Sequence, residues 1–394
     1  MLQRYTILAI MILFPLLLTG CWDYRPLETL SFASGFGIDR DKHGYIVTVQ
    51  FVNPEEIAGN NHTDRPEAPI YQERGQTIGE AVTRLTLNVP HYVHFSNIQL
   101  VALSESVARK NIKEALEYLY RFNNIRSDFK LIISKQHKAS DILRVVSPLS
   151  KVTAEKIANV VQKMEDGTTM TVGSKMNFFH LITQMNTPYE GFVINGFRIR
   201  GNLKYKETMH NTETLTPKSQ VYPTGLAVFK KNQLQGWLTI PESIGYNYIM
   251  GTARLVPEFV VCSKQNKVSA EVIHTKSQIK IYNKTKKLQP HIQLRVTLQL
   301  TEVGCKQRLS PAYLSHLEEK FEHKIAKRIQ TTMQVAQKKF HVDLFGIGDT
   351  FARTHPDLWK KEKNWEETFS NLNITYSVKV NIVQVTNNIF IKSD

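Results

Sequence analysis

Leu18-Thr19-Gly20-Cys21 is the first place in the sequence where residue type and spacing specify chemistry. A branched apolar residue, two small residues and a cysteine resemble the bacterial lipobox. Small side chains suit a tight peptidase pocket, and the cysteine sulfur supplies the thioether to a diacylglyceryl group. Ahead of it lie Arg4 and a 13-residue apolar run, Thr6 to Leu18. That run has the length of a signal-peptide core and falls short of the roughly 20 residues needed to span a bilayer. Pro15 also disfavours a permanent membrane helix. Residues 1–20 are therefore expected to be a lipoprotein signal peptide, with Cys21 as the lipid-bearing first residue of the mature chain. Two acyl chains on one sulfur anchor stably where a single chain binds only marginally.

The other patterns that could carry chemistry fall short of their requirements. HExxH, CxxC and GxSxG are absent from the sequence. Gly167 to Lys175 echoes a phosphate loop, but has five residues between its glycines, Ser-Lys in place of Lys-Ser/Thr, and follows a helix pattern. His91 and His94 sit three apart in a strand pattern, so their side chains point to opposite faces. Gly346-Ile347-Gly348 lacks the third glycine and the βαβ setting of a dinucleotide site. Cys262 and Cys305 remain after Cys21 is assigned; an exported protein permits a bridge between them, and buried free thiols on neighbouring strands fit equally well. No catalytic residue, metal site or cofactor is expected, and the chain reads as a non-enzyme.

The elements that must support these residues are mixed. Residues 31–52 read as a hairpin, and 53–75 as a loop. Thr77-Ile78-Gly79-Glu80 is a capping box that opens a helix. A strand over 91–103, a helix over 104–122, a strand over 129–134 and helical segments at 141–146, 153–164 and 175–185 follow, then a strand over 191–200. Residues 201–220 are polar, 221–240 form a strand-turn-strand unit, and 268–282 and 292–303 alternate with period two. Ser310 and Pro311 open the clearest helix, with Leu314, Leu317, Phe321, Ile325 and Ile329 on one face. Ile374 to Val385 is a last strand. The expected class is α+β, three mixed α/β domains with predominantly antiparallel sheets and a long helix in the last one: 21–200, a β-rich 201–260, and a basic 261–394.

The 394 residues carry 50 Lys+Arg against 35 Asp+Glu, a net charge of +15, while 42% hydrophobic and 22% charged residues are ordinary globular usage and exclude wholesale disorder. The stretch 261–394 holds 22 Lys/Arg against 12 Asp/Glu. Lys320, Lys324, Lys327, Arg328, Lys338 and Lys339 lie along the long helix, and Lys360, Lys361 and Lys363 cluster near Trp359 and Trp365. A solvated outer face and a docking face for anionic headgroups or an acidic partner both fit this pattern. Export removes nucleic acid as a partner.

Three stretches together resemble the Ger(x)C family, the lipoprotein C subunits of spore nutrient germinant receptors in endospore-forming bacteria. The first is the lipobox running into Cys21-Trp22-Asp23-Tyr24-Arg25, then Gly35-Phe36-Gly37-Ile38-Asp39. The second is Thr224-Gly225-Leu226-Ala227-Val228-Phe229-Lys230 with Gly236-Trp237-Leu238 and Glu242. The third is Asp343-Leu344-Phe345-Gly346-Ile347-Gly348, His355-Pro356-Asp357-Leu358-Trp359 and Asn364-Trp365.

The resemblance implies a non-enzymatic subunit on the outer surface of the inner spore membrane. Its implied partners are polytopic A-type and B-type receptor subunits, with which it lets nutrients trigger germination. It transfers no catalytic residue, and direct nutrient binding by this subunit stays open. Gly225 and Gly236 suit turns or strand ends, Trp237 and Trp365 suit core or interface anchors, and Asp343 suits a cap or turn. A solute-binding lipoprotein of a transport system is the alternative; it requires two similar α/β lobes around a cleft.

Overall fold

The computed structural model describes Arg4, Pro26, Gln307 and residues 29–53, 66–122, 124–187, 189–263, 266–284, 287–305 and 309–385. The lipobox and Cys21 lie outside the described residues. Two mixed sheets organise the chain. The first holds β1 (Leu30–Asp41), β2 (Gly44–Val52), β3 (Ile70–Gly75), β4 (Tyr92–His94), β5 (Leu100–Ser104), β6 (Lys130–Ser134), β7 (Gly191–Gly201), β8 (Ser219–Lys230) and β9 (Gln233–Leu238). Its order is β3-β2-β1-β5-β6-β7-β8-β9, with β4 also on β1. Strands β1, β5, β6 and β7 are mutually parallel, and antiparallel hairpins extend both flanks.

The β1–β2 hairpin forms where alternating β-branched and aromatic residues flank a polar turn. Gly44 closes it at φ +128°, and a Cβ there would stand 2.3 Å from the Gly75 carbonyl oxygen. The stretch expected as a loop over 53–75 ends in strand β3 instead. Gln72, Glu73 and Arg74 suit an edge strand, paired on one side only, so no clean alternation marks it. The single strand expected over 91–103 is two short ones, β4 and β5, separated by a 3₁₀ turn at Phe95–Asn97.

Thr77 caps the helix as expected, while Glu80 reaches one residue beyond the N-cap instead of closing the box on Thr77. Thr77 Oγ1 accepts the Glu80 N–H at 3.1 Å, and Glu80 Oε2 accepts the Gln76 N–H at 2.7 Å. Helix Ile78–Asn88 follows, then helix Glu105–Arg121, which buries Ile112, Ala115, Leu116 and Leu119 on one face of the first sheet.

The second sheet, β10 (Pro257–Val261), β11 (Lys267–Lys284), β12 (Lys287–Val303) and β13 (Thr375–Val385), keeps that order, antiparallel except for β12–β13. Counting both sheets, antiparallel pairings outnumber parallel ones six to five among the described strands. The fold is α+β. Helix Pro311–Gln334 covers the sheet, capped by Ser310 Oγ on the Tyr313 N–H at 3.3 Å, and continues into a π turn, Val335–Phe340. Leu317, Phe321, Ile325, Ile329 and Met333 are buried, each side chain contributing roughly 1.5–3 kcal/mol.

The stretch 201–260 is shared between the sheets: β8 and β9 extend the first, and β10 opens the second. Between them lies helix Ile240–Met250, unmarked by any amphipathic period because Ser243 to Ile249 are all buried. It belongs to a continuous apolar core that joins Leu100, Phe197 and Leu226 of the first sheet to Leu294 and Val296 of the second.

Cys262 and Cys305 form a disulfide across 43 residues, with Cα atoms 6.5 Å apart. By the loop-entropy relation such a closure stabilises the fold by about 4 kcal/mol. Among the described residues, no helix is long and apolar enough to cross a membrane.

Candidate functional site

The third signature run folds around its own aspartate. Asp343 is buried; its Oδ1 accepts the Phe345 N–H at 3.0 Å, and its Oδ2 accepts the Gly348 N–H at 2.7 Å and the Trp365 indole N–H at 3.3 Å. Burial pushes the Asp343 carboxyl above the ordinary range, opposed by these backbone donors and the indole. Gly346, at φ +70°, makes the turn that lets the backbone curl over the carboxylate. Asp343 is thus the turn residue that the sequence suggests.

Around it the aromatic residues of the same region converge. Trp365 lies 5.3 Å from Trp359 and 5.8 Å from Phe351, and Trp359 lies 4.8 Å from Tyr189, ring centroid to ring centroid. Tyr189 and Glu190 lead into β7. An ion pair between Lys230, at the end of β8, and Glu366 ties the first sheet to helix Trp365–Asn371.

Between these elements opens a cleft of about 340 Å³, lined by Tyr189, Glu190, Lys231, Trp359, Lys363 and Trp365 among others. The Glu190 carboxyl is pushed up to about 7, first by burial and then by the neighbouring Asp343 and Asp349 charges, with Arg353 opposing. No hydrogen bond to its carboxylate occurs among the described residues. Sequence gave no sign of Glu190, which becomes distinctive only when the fold brings it beside Asp343.

The second signature stretch serves close approach. A Cβ on Gly236 would stand 2.7 Å from a Phe340 ring carbon, and one on Gly225, at φ +97°, 2.2 Å from the Leu238 carbonyl oxygen. Trp237 donates its indole N–H to Glu105 Oε1 at 3.0 Å, and the Lys135 ammonium stands 4.8 Å from its ring centroid. Gly236 therefore seats β9 of the first sheet on the π turn of the C-terminal region, near the cleft.

The nine cations expected as a docking face have different surroundings. Lys320 donates to the Val261 carbonyl at 3.0 Å and Lys324 to that of Phe259 at 2.7 Å. Lys324 and Arg328 also pair with Glu258, at 3.2 and 3.0 Å, and that carboxylate is 0% exposed. These three therefore bind the long helix to β10. Lys327 lines a shallow groove with Pro241 and Thr331. Lys338 reaches Asn371 Oδ1 at 3.5 Å, and Lys339 stands 5.0 Å from the Phe340 ring. Lys360 faces Asp357 at 3.9 Å, while Lys361 and Lys363 are exposed. The buried counterion Glu258 escaped sequence reading; its only signal is an acidic residue at an alternating position in Pro257-Glu258-Phe259-Val260-Val261.

Comparison with known proteins covers almost the whole chain. Residues 23–199 match the family described as spore germination protein N-terminal domain, and residues 224–386 match spore germination B3/GerAC like, C-terminal. Spore germination protein KC of Bacillus subtilis (strain 168) is 28% identical over 385 residues, covering 94% of this chain and 92% of that protein. Spore germination protein B3 of the same organism is 25% identical over 387 residues, covering 95% and 96%. The crystal structure of the GerBC protein shares the fold at TM-score 0.54 and 22% identity, over 92% of this chain and 100% of that one.

Proposed function

The chain belongs to the Ger(x)C family of spore germination proteins, and from that premise we propose that it is the lipid-anchored C subunit of a nutrient germinant receptor. In this reading it is tethered through Cys21 to the outer surface of the inner spore membrane and assembles there with polytopic A-type and B-type subunits. Its contribution is recognition between subunits, without catalysis.

The observation that carries the proposal is the match to spore germination families along both halves of the chain. The signature residues support a structural role for those motifs: Asp343, Gly236 and Gly225 serve turns and close packing. The Cys262–Cys305 disulfide fits an exported protein, because such bonds persist in oxidising compartments. Two sheets sharing one core differ from the paired lobes that a solute-binding lipoprotein requires. Among the cations expected at a docking face, Lys361 and Lys363 are exposed and suit such a contact.

Crosslinking from exposed positions of the lipidated protein in spore membranes tests the proposal. Polytopic receptor subunits should be captured, and Cys21→Ala should abolish membrane retention while leaving the folded body intact. Capture of neither subunit type, or retention of Cys21→Ala at the membrane, would overturn the corresponding half of the reading.

A further inference from the structure

The ends of the first sheet differ in how they relate to the N-terminal segment. Strand β1 runs from Leu30 to Asp41, and β5, β6 and β7 run parallel to it, so one end of the sheet holds Leu30 and the starts of β5, β6 and β7. The opposite end holds Asp41, Gly201 and, across from Gly201, Ser219. Large apolar side chains are exposed at both ends.

At the Leu30 end, Tyr92 pairs directly with Leu30 and is 61% exposed, and Leu87, five residues earlier, is 81% exposed. A path of buried ring contacts leads from the middle of β1 to the same rim. Phe36 meets Phe95 at 6.4 Å, and Phe95 meets Phe122 at 5.2 Å. Two residues before Phe122, Tyr120 contacts Phe179 at 6.3 Å, and these two rings are 56% and 55% exposed. Lys230, at the end of β8, is opposite Gly191, which puts Lys231 and the cleft at this end as well. At the Asp41 end, Met209 and Leu215 are 69% and 106% exposed, on a loop held to Ser219 through Asn211.

Chain length decides between the two rims. Cys21 precedes Leu30 by nine residues, which span at most about 32 Å when fully extended. The 12-residue β1 is itself about 36 Å long. A body standing on its Asp41 end would hold Leu30 farther from the lipid than the tether reaches. We infer that Leu87, Tyr92, Tyr120 and Phe179 form a rim that contacts the lipid surface in the tethered protein, while Met209 and Leu215 face away from it. Tyrosine rings, with an apolar body and a polar tip, suit the headgroup boundary, and Lys231 adds attraction to anionic lipid. This inference rests on the Cys21 anchor proposed above.

The test uses the full lipidated chain in vesicles of phosphatidylcholine and phosphatidylglycerol. With Cys21 acylated and Cys262–Cys305 bridged, the protein has no free thiol, so Leu87→Cys, Phe179→Cys, Met209→Cys and Leu215→Cys each supply one site for an environment-sensitive dye. Brominated lipids should quench the dye at positions 87 and 179 at least about twofold more than at 209 and 215, since interfacial groups sit about 5–10 Å into the headgroup boundary. Equal or reversed quenching in vesicle-bound protein overturns the rim while leaving the anchor standing. Failure of the lipidated protein to float with vesicles sinks the anchor, and the rim with it.

Discussion

Glu322 Oε1 accepts the backbone N–H of Val380 at 3.0 Å, and one helical turn earlier Glu318 Oε1 accepts that of Ile382 at 2.9 Å. β13 is the last strand of its sheet, so its outer N–H groups would otherwise be open to another strand. Two carboxylates four apart on the long helix match two N–H groups two apart on the strand. They close the edge without adding a strand.

Removing both acceptors should expose that edge. Glu318→Ala with Glu322→Ala is expected to give concentration-dependent self-association, measured by light scattering after size exclusion. The double Gln variant retains an amide oxygen at each position and should stay monomeric. Equal behaviour of the two variants would remove the carboxylates from this role.

Glu258 is the pivot between the long helix and β10. Glu258→Gln leaves Lys324 and Arg328 without their counter-charge, at an expected cost of about 2–3 kcal/mol. That is below the roughly 3–5 kcal/mol for a fully buried pair, because these two cations are 29% and 21% exposed. Lys324→Ala should cost less, since Arg328 still neutralises the carboxylate. Urea unfolding of both variants checks the order.

Glu190 imposes a pH dependence. Its carboxyl is raised from 4.5 to about 7 in the folded protein, so the folded state holds its proton more tightly than the unfolded chain does. Stability from this group is therefore greatest at low pH, falls as pH rises from about 4.5 to about 7, and is level above that. Glu190→Gln should match the parent near pH 4 and melt at a higher temperature at pH 8. Parallel melting curves across that range would show that Glu190 carries no such dependence.

Legibility in the sequence followed the physics of each element. The long helix could be read because Leu317, Phe321, Ile325 and Ile329 face a core while charges face water. Helix Ile240–Met250 could not, because an element buried all round has no polar face, although its Thr239–Glu242 cap was there to read. β3 hid because an edge strand tolerates Gln72, Glu73 and Arg74. At the candidate site, Asp343 and Trp365 were visible as motif residues, but their partnership joins positions 22 residues apart. Glu190 stands farther still from Asp343 in sequence, so only the fold could bring the two carboxyls together. A related limit holds for the cations of the long helix: charge can be counted from sequence, whereas the turn of Lys320, Lys324 and Arg328 toward β10 cannot.

The apolar core common to both sheets has a mechanical consequence. Independent hinging of the two halves would require opening contacts from Phe197 and Leu226 through Tyr248 to Leu294 and Val296, whereas domains that move freely meet across smaller, more polar interfaces. A displacement at the Trp359–Trp365 cleft is therefore expected to carry both sheets together, as one body, rather than to open a hinge between them.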